Sequence, residues 1–414
     1  MTGPEVSTGR RPPRAAAPPD ADRVGLRRIL ITLSVTQVTS WGILYYAFPV
    51  LSVRISAETG WAPPTVTAAF SAGLVVSAVA GVVVGRQIDR YGPRGVMTLG
   101  SVVAVLAVVA IALAPTWPVF VGAWLLAGMA MAGVLYPPAF AALTRWYGPR
   151  SIGALTVLTL AGGFASTIFA PIAAALSQHL DWRGVYLVLA GVLAVITVPA
   201  HAVGLRRAWP RAAGSESAEL RPRHVLASRP FVALTIALAL AACASHAVVV
   251  NLVPLLTERT IGITAAAIIL GLGGAGQVLG RLGYAPLHRR LTVRSRTVAV
   301  LTGVAFSTLV IAVVTDLEEL IAAVILAGVV RGLLTLVHAT AVSERWGVAH
   351  YGRLTGVLSA PATMTAALAP WIGAALAAAL GGYAAMFVVM AAVAAVAAVV
   401  GAWSVPRSGR SVQP

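Results

Sequence analysis

Uncharged apolar stretches of about 20 residues recur along the chain from residue 29 to residue 405. Each is long enough for a helix to cross the hydrocarbon of a bilayer, and each is continuous. Strands of a membrane barrel are shorter and alternate in polarity. The runs therefore call for a polytopic all-α membrane protein. Composition agrees: only 10% of residues are charged, against about 25% in soluble domains. Mean hydropathy is +0.87.

Twelve spans fit the runs, at roughly 28–53, 65–86, 95–114, 117–144, 151–179, 183–205, 230–256, 263–284, 296–315, 319–343, 352–379 and 383–404. The first run is too long for a signal-peptide core and lacks a clear cleavage site, so it reads as a true span. All 30 basic residues are arginine, a bias that points to a GC-rich bacterial genome. Of these, 26 fall in one alternate set of connections: the N-tail, the loops near 86–94, 145–150, 206–229, 281–296 and 345–353, and the C-tail. The other set holds Arg54, Arg183 and Arg259 against Glu58, Asp181, Glu258, Asp316, Glu318 and Glu319. Arginine-rich loops stay on the cytoplasmic side, so both termini are expected inside a cell (inner or plasma) membrane. Basic charge so distributed does not read as a nucleic-acid surface. The expected organisation is a disordered cytoplasmic tail (1–27), an N-terminal six-helix bundle (28–205), a cytoplasmic linker (206–229), a C-terminal six-helix bundle (230–405) and a short cytoplasmic tail (406–414).

The two halves resemble each other. Leu126-Ala127-Gly128 recurs as Leu326-Ala327-Gly328, and Arg145-Trp146 as Arg345-Trp346, both at a shift of 200. Gly153, Leu155, Thr156, Ala170 and Pro171 recur as Gly352, Leu354, Thr355, Ala369 and Pro370. Gly81 and Gly85-Arg86 recur as Gly276 and Gly280-Arg281, and Pro49 as Pro254. Two six-span halves in the same orientation form the parallel repeat of a rocking transporter, with its site between them at the midplane. Ser77, Gly81 and Gly85, like Gly276 and Gly280, read as close-packing helix faces.

The loop after the second span reads Gly85-Arg86-Gln87-Ile88-Asp89-Arg90-Tyr91-Gly92-Pro93-Arg94. It resembles the signature loop of the major facilitator superfamily (MFS), Gly-x-Leu-Ala-Asp-Arg-x-Gly-Arg-Arg. Gly85, Asp89, Arg90, Gly92 and Arg94 match; Gln87, Ile88 and Pro93 depart. The resemblance implies the two-bundle MFS fold, and for Asp89 a latch that closes the cytoplasmic side against a helix N-terminus of the other half. The second copy, Gly280-Arg281-Leu282-Gly283, has no acid, so the expected latch is one-sided. Trp41-Gly42-x-x-Tyr45-Tyr46, the Asp89–Arg94 form of the loop and Trp182-Arg183-Gly184 resemble the monocarboxylate and oxalate/formate branch more narrowly. That branch uses membrane lysines in some members, and this chain has none. Trp124 stands near the place where the proton-antiporter branch has an arginine, and Ala170-Pro171 replaces the Gly-Pro of drug antiporters.

Ionisable groups inside a span are costly and face cavities. No acid lies in the middle of any span, yet Arg331 sits near the centre of span 10. Thr335 and His338 follow it at i+4 and i+7 on one helix face. The resemblance places spans 1, 4, 7 and 10 around the pathway. A bound anion would supply the missing partner of Arg331; a structural arginine bonded to backbone carbonyls is the alternative. Arg281 is the candidate carboxylate-binding arginine of span 8, or a rim arginine like Arg86. His246 and Asn251 in span 7, the Gln37, Trp41 and Tyr45 stripe in span 1, and Tyr136 in span 4 are candidate substrate contacts or packing residues.

One cysteine, Cys243, leaves no internal disulfide. A nucleotide-binding loop ending in Gly-Lys is impossible without lysine. No metal cluster or catalytic constellation is apparent, so neither an enzyme nor a cofactor is expected. The reading is a monomeric secondary transporter of a small organic anion, a monocarboxylate, by proton coupling or exchange. The alternative is an efflux pump for drugs or a secreted metabolite. Reporter fusions at Gly214 and at the C-terminus should both report the cytoplasmic side; a fusion reporting outside would break the twelve-span topology.

Overall fold

A computed structural model describes residues 20–148, 151–209, 223–346 and 351–405. The expected tails and most of the linker lie outside them. Twelve helices long and apolar enough to cross a membrane are present. They are span 1 (Val24–Thr59), span 2 (Pro63–Tyr91), span 3 (Pro93–Leu113), span 4 (Trp117–Tyr147), span 5 (Gly153–Leu176), span 6 (Trp182–Gly204), span 7 (Arg229–Glu258), span 8 (Ile263–Leu282), span 9 (Val293–Val313), span 10 (Leu317–Trp346), span 11 (Leu354–Leu380) and span 12 (Tyr383–Gly401). The described residues contain no strand. Several spans overrun the sequence-derived ends, because the apolar run marks only the part of a helix that lies in hydrocarbon.

Spans 2 and 4, 3 and 6, 1 and 5, and 1 and 6 pack against one another. The same pairings recur as 8 and 10, 9 and 12, 7 and 11, and 7 and 12. The halves meet through spans 2 and 11, 5 and 8, and 1 and 7. Glycine fixes the closest approaches. A Cβ on Gly128 would strike the backbone of Gly73, and one on Gly328 would strike that of Gly273. These pairs explain the repeated Leu-Ala-Gly: each glycine lets span 4 or span 10 lie against its neighbour.

The small-residue face expected on span 2 is a correction. A Cβ on Gly81 or Gly85 would meet nothing within 4 Å, whereas Gly276 and Gly280 lie directly on the Ile325 and Val329 backbone of span 10. No residue from Leu74 to Gln87 is buried. Span 2 meets span 11 towards its opposite end, where the Trp371 backbone N–H donates to Ser71 Oγ at 3.1 Å.

Charges at the acidic end serve helix ends. Asp181 accepts from Gly184 N–H at 2.8 Å at the start of span 6, and Asp316 accepts from Glu318 N–H at 2.9 Å at the start of span 10. Arg183 donates to the Ala112 and Ala114 carbonyls at 2.6 and 2.8 Å, closing the end of span 3. Arg259 does the same for span 9, reaching the Ile311, Ala312 and Val314 carbonyls. These are the orphan acceptors of a helix C-terminus, where a cation is favoured. Burial pulls the Arg259 guanidinium below its ordinary range, and neighbouring Glu258 opposes this.

Gly128→Val should destabilise the purified protein by about 1–3 kcal/mol, the usual cost of overpacking. Gly81→Ala, whose methyl enters open space, should not. Thermal unfolding of both variants in detergent checks the contrast, and equal stabilities would refute the tight 2–4 contact.

Candidate functional site

Helix breaks shape the centre. Span 1 carries a π-helical turn over Gly42–Tyr46, and such turns recur at functional sites. Gly42 presses on the Phe169 ring of span 5, where no Cβ would fit. The extra residue in the turn brings Tyr45 and Tyr46 together, with ring centroids 5.2 Å apart. Span 4 breaks at Leu135, which is extended, ahead of Pro137-Pro138. Pro138 has no N–H for the Val134 carbonyl four residues back. Gln37 Nε2 donates to that carbonyl instead, at 2.6 Å.

Trp41 links the two broken helices. Its ring lies 5.4 Å from Tyr45 and 5.1 Å from Tyr136. Each tyrosine lies within electrostatic reach of an arginine of the other half. Arg331 lies within electrostatic reach of Tyr45 and of His246 on span 7. The Arg281 guanidinium lies beside the Tyr136 hydroxyl. Trp41 Nε1, Tyr45 Oη, Arg281 Nε and Arg331 Nε are all buried without a hydrogen-bond partner. Buried donors left bare are costly and suit a ligand rich in acceptors.

The environments of the two arginines differ. Arg331 is half-buried, and its Nη2 donates to Gln277 Oε1 of span 8 at 2.7 Å. An amide is a neutral partner and leaves the charge uncompensated. Arg281 is 8% exposed and donates to the Thr159 carbonyl of span 5, across the two halves. Gly162 and Gly163 make room for it: the Tyr136 hydroxyl lies over one and Arg281 over the other. Arg86, at the matching place in the first half, is exposed. A snorkelling rim role by symmetry with Arg86 therefore does not fit Arg281.

Five other candidates bond within the protein. Asn251 is fully buried, and its Nδ2 donates to Ala247 O at 2.9 Å and Pro370 O at 3.3 Å, tying span 7 to span 11. Gln37 is fully buried at the break in span 4. Thr335 returns its hydroxyl to the Arg331 carbonyl at 3.0 Å. His338 Nε2 lies 3.0 Å from Ser359 Oγ of span 11. His246 Nδ1 donates to the Ala242 carbonyl at 2.9 Å, which leaves Nε2 as the acceptor. Sequence reasoning missed Gln277, Thr159, Gly162 and Gly163. Gln277 alone had a signal, as an amide one turn before Arg281 in an apolar helix.

The loop acid is a second correction. Asp89 meets no helix end of the other half among the described residues. It is largely exposed, and Arg145 Nη1 of its own half lies 3.5 Å from Oδ1. Arg145 also stacks on Trp209, 4.7 Å from the ring centre. Arg94 donates to the Ala202 carbonyl at 2.9 Å, while Arg90 lies over the Tyr91 ring. Gly92 has φ +81, which closes the turn between spans 2 and 3. The second half keeps its acid at the end of span 10: Glu344 pairs with buried Arg296 and lies 3.3 Å from His288 Nδ1. Burial raises the pKa of the adjoining Tyr284, whose hydroxyl lies 2.8 Å from Thr340 Oγ1.

Gln37→Met strands the Val134 carbonyl and should cost about 1–3 kcal/mol. Stability unchanged by this substitution in a thermal melt would mean that another group serves the break.

Comparison with known proteins places this geometry. The chain is 28% identical to monocarboxylate transporter 11 of Homo sapiens over 305 residues, covering 68% of this chain and 61% of that protein. It is 29% identical over 237 residues to a Thermoproteus tenax protein described as an uncharacterized 38 kDa protein in the 23S RNA operon, covering 57% of this chain and 61% of that one. The chain thus spans about three-fifths of the length of either relative. A crystal structure of a bacterial homolog of the human lysosomal transporter Spinster, inward-facing and unoccupied, superposes with a TM-score of 0.75. The match covers 92% of this chain and 97% of that one at 13% identity, a likeness of fold. The sequence profile of the Major Facilitator Superfamily matches residues 29–319, and the chain belongs to that family of transporters.

Proposed function

We propose that this transporter carries a small organic anion, a monocarboxylate, between the two halves by alternating access, with proton coupling or exchange. One observation carries the proposal: Arg331 stands at the centre of span 10 with a neutral amide as its hydrogen-bond partner, within electrostatic reach of Tyr45 and His246. A charge held at that depth without compensation costs several kcal/mol. A carboxylate supplies the counter-charge, and the guanidinium fork holds it in two parallel bonds. The bare Tyr45 hydroxyl and Trp41 N–H are further donors for it. Arg281 and Tyr136 form a second basic station nearer the arginine-rich end. The monocarboxylate transporter among the relatives supports the substrate class. A proton can travel on the carboxylate itself or on His338, so no membrane acid is needed.

The test is uptake of short monocarboxylates into vesicles containing the full chain, with lipophilic cations as the contrasting panel. Wild-type protein should take up the acids. Arg331→Lys keeps the charge but loses the fork and should raise the substrate concentration needed for half-maximal uptake. Arg331→Gln should abolish uptake in protein whose thermal melt shows it folded, since losing a buried charged hydrogen bond costs about 2–5 kcal/mol. Carboxylate uptake undiminished in folded Arg331→Gln would make the arginine structural and overturn the proposal.

A further inference from the structure

Gln277 is used differently from the other buried amides of the spans. Gln37 and Asn251 spend their amide N–H groups on backbone carbonyls, at the break in span 4 and between spans 7 and 11. Gln277 is 8% exposed and offers its oxygen: Arg331 Nη2 donates to Oε1 at 2.7 Å. The backbone holds this pair in register. A Cβ on Gly332 would strike the Gln277 carbonyl, and one on Gly328 would lie 3.1 Å from the Gln277 backbone nitrogen. These glycines stand three residues before Arg331 and one after it. They let span 8 lie against span 10 at the arginine's own level. The Gln277 side chain therefore starts from a fixed point, and its hydrogen bond restricts where the guanidinium can lie.

The duplication supplies a control. Gly128 packs on Gly73 as Gly328 packs on Gly273, a shift of 200 on both helices. At that shift Ser77 and Met131 stand where the second half has Gln277 and Arg331, and Val324 stands where the first half has Trp124. The first half fills its core here with rings, Trp124 lying edge-on to Phe48 and Phe70 at 5.3 and 5.0 Å. Met131 is fully buried. Close packing of this helix pair is thus reached in the first half without an amide–guanidinium bond, so packing alone does not account for the bond in the second.

We infer that Gln277 is a positioning residue of the transport site, which orients the Arg331 guanidinium while leaving its positive charge unspent. The inference rests on the transport proposal and explains why an amide occupies this place. A guanidinium carries several N–H donors but one charge. A partner that accepts one N–H and brings no charge fixes the group and leaves the charge for a solute. A carboxylate of the same length would accept equally well and cancel the charge. An apolar side chain of that length would leave the charge and fix nothing. Glutamine alone among these meets both needs, and it selects an anionic solute over a neutral one.

The test measures uptake of propionate and lactate into vesicles containing the full chain, with the Tm of each protein in detergent. Gln277→Glu puts a carboxylate beside Arg331. It should keep or raise Tm, because a buried charge gains its partner. It should also raise the concentration for half-maximal uptake at least tenfold, because the solute meets a like charge. Gln277→Met keeps the length and loses the acceptor; it should raise that concentration about threefold, the worth of one hydrogen bond, with the maximal rate kept. The role requires both shifts. A shift in Gln277→Glu alone would mark nearness without orientation, and one in Gln277→Met alone would mark orientation without need of the charge; either overturns it. Wild-type uptake in both variants overturns it too, as does a fall in Tm in both with uptake reduced only in proportion to folded protein. Arg331→Gln separates the two readings. Uptake lost there beside unaltered Gln277 variants leaves the transport proposal standing. Uptake kept there, or absent from wild type, overturns both.

Discussion

Hydrocarbon supplies no hydrogen bonds, so every backbone group in this protein must find its partner within the chain. That requirement makes all twelve spans helical, and it dictates what happens where a helix is interrupted. Where Pro138 interrupts span 4, Gln37 serves the carbonyl left without its N–H, while Asn251 ties span 7 to the Pro370 carbonyl of span 11. Arg183 and Arg259 serve the last carbonyls of spans 3 and 9. The interruptions in spans 1 and 4 thereby become fixed geometry, and they place Trp41, Tyr45 and Tyr136 in one cluster.

The same solvent sorts the charges. An arginine can survive near or within the spans when carbonyls or an acid receive it. Arg281 has the Thr159 carbonyl and Arg296 has Glu344. Among the described residues Arg331 has the Gln277 amide at its Nη2 and no acid, so its bond is satisfied there while its charge is not. A hydrogen bond and a counter-charge are separate needs in a low dielectric. This separation is the physical basis for assigning an anion to the neighbourhood of Arg331.

Features repeated along the chain were legible in the sequence. Apolar runs revealed the twelve spans, the Leu-Ala-Gly echo revealed the repeated packing of spans 4 and 10, and the absence of nearby acids singled out Arg331. Contacts between distant helices were not legible. The sequence shows Gly81 and Gly276 as equals, yet one faces open space and the other lies on span 10. It shows Arg86 and Arg281 as equals, yet one is exposed and the other reaches across to span 5. Asp89 reads as a partner for the other half, but exposed charges pair with whatever lies nearest, and here that is Arg145. A linear pattern fixes the face on which a residue lies; the angle at which neighbouring helices cross decides what that face meets.

These inequalities follow from how a duplicated fold divides its work. Two halves that rock against each other need a rigid body on each side and contacts between them that can be remade. The N-terminal half contributes an aromatic core around Trp124 and presents its tyrosines at the interface. The C-terminal half keeps smaller side chains in the equivalent core and presents arginines from spans 8 and 10. The Tyr136 hydroxyl from one side and the Arg281 guanidinium from the other therefore meet at the seam, with Tyr45 within electrostatic reach of Arg331. A solute bound as proposed would draw on both bodies at once, so its affinity would depend on their relative position, and that dependence would let it shift the equilibrium between conformations.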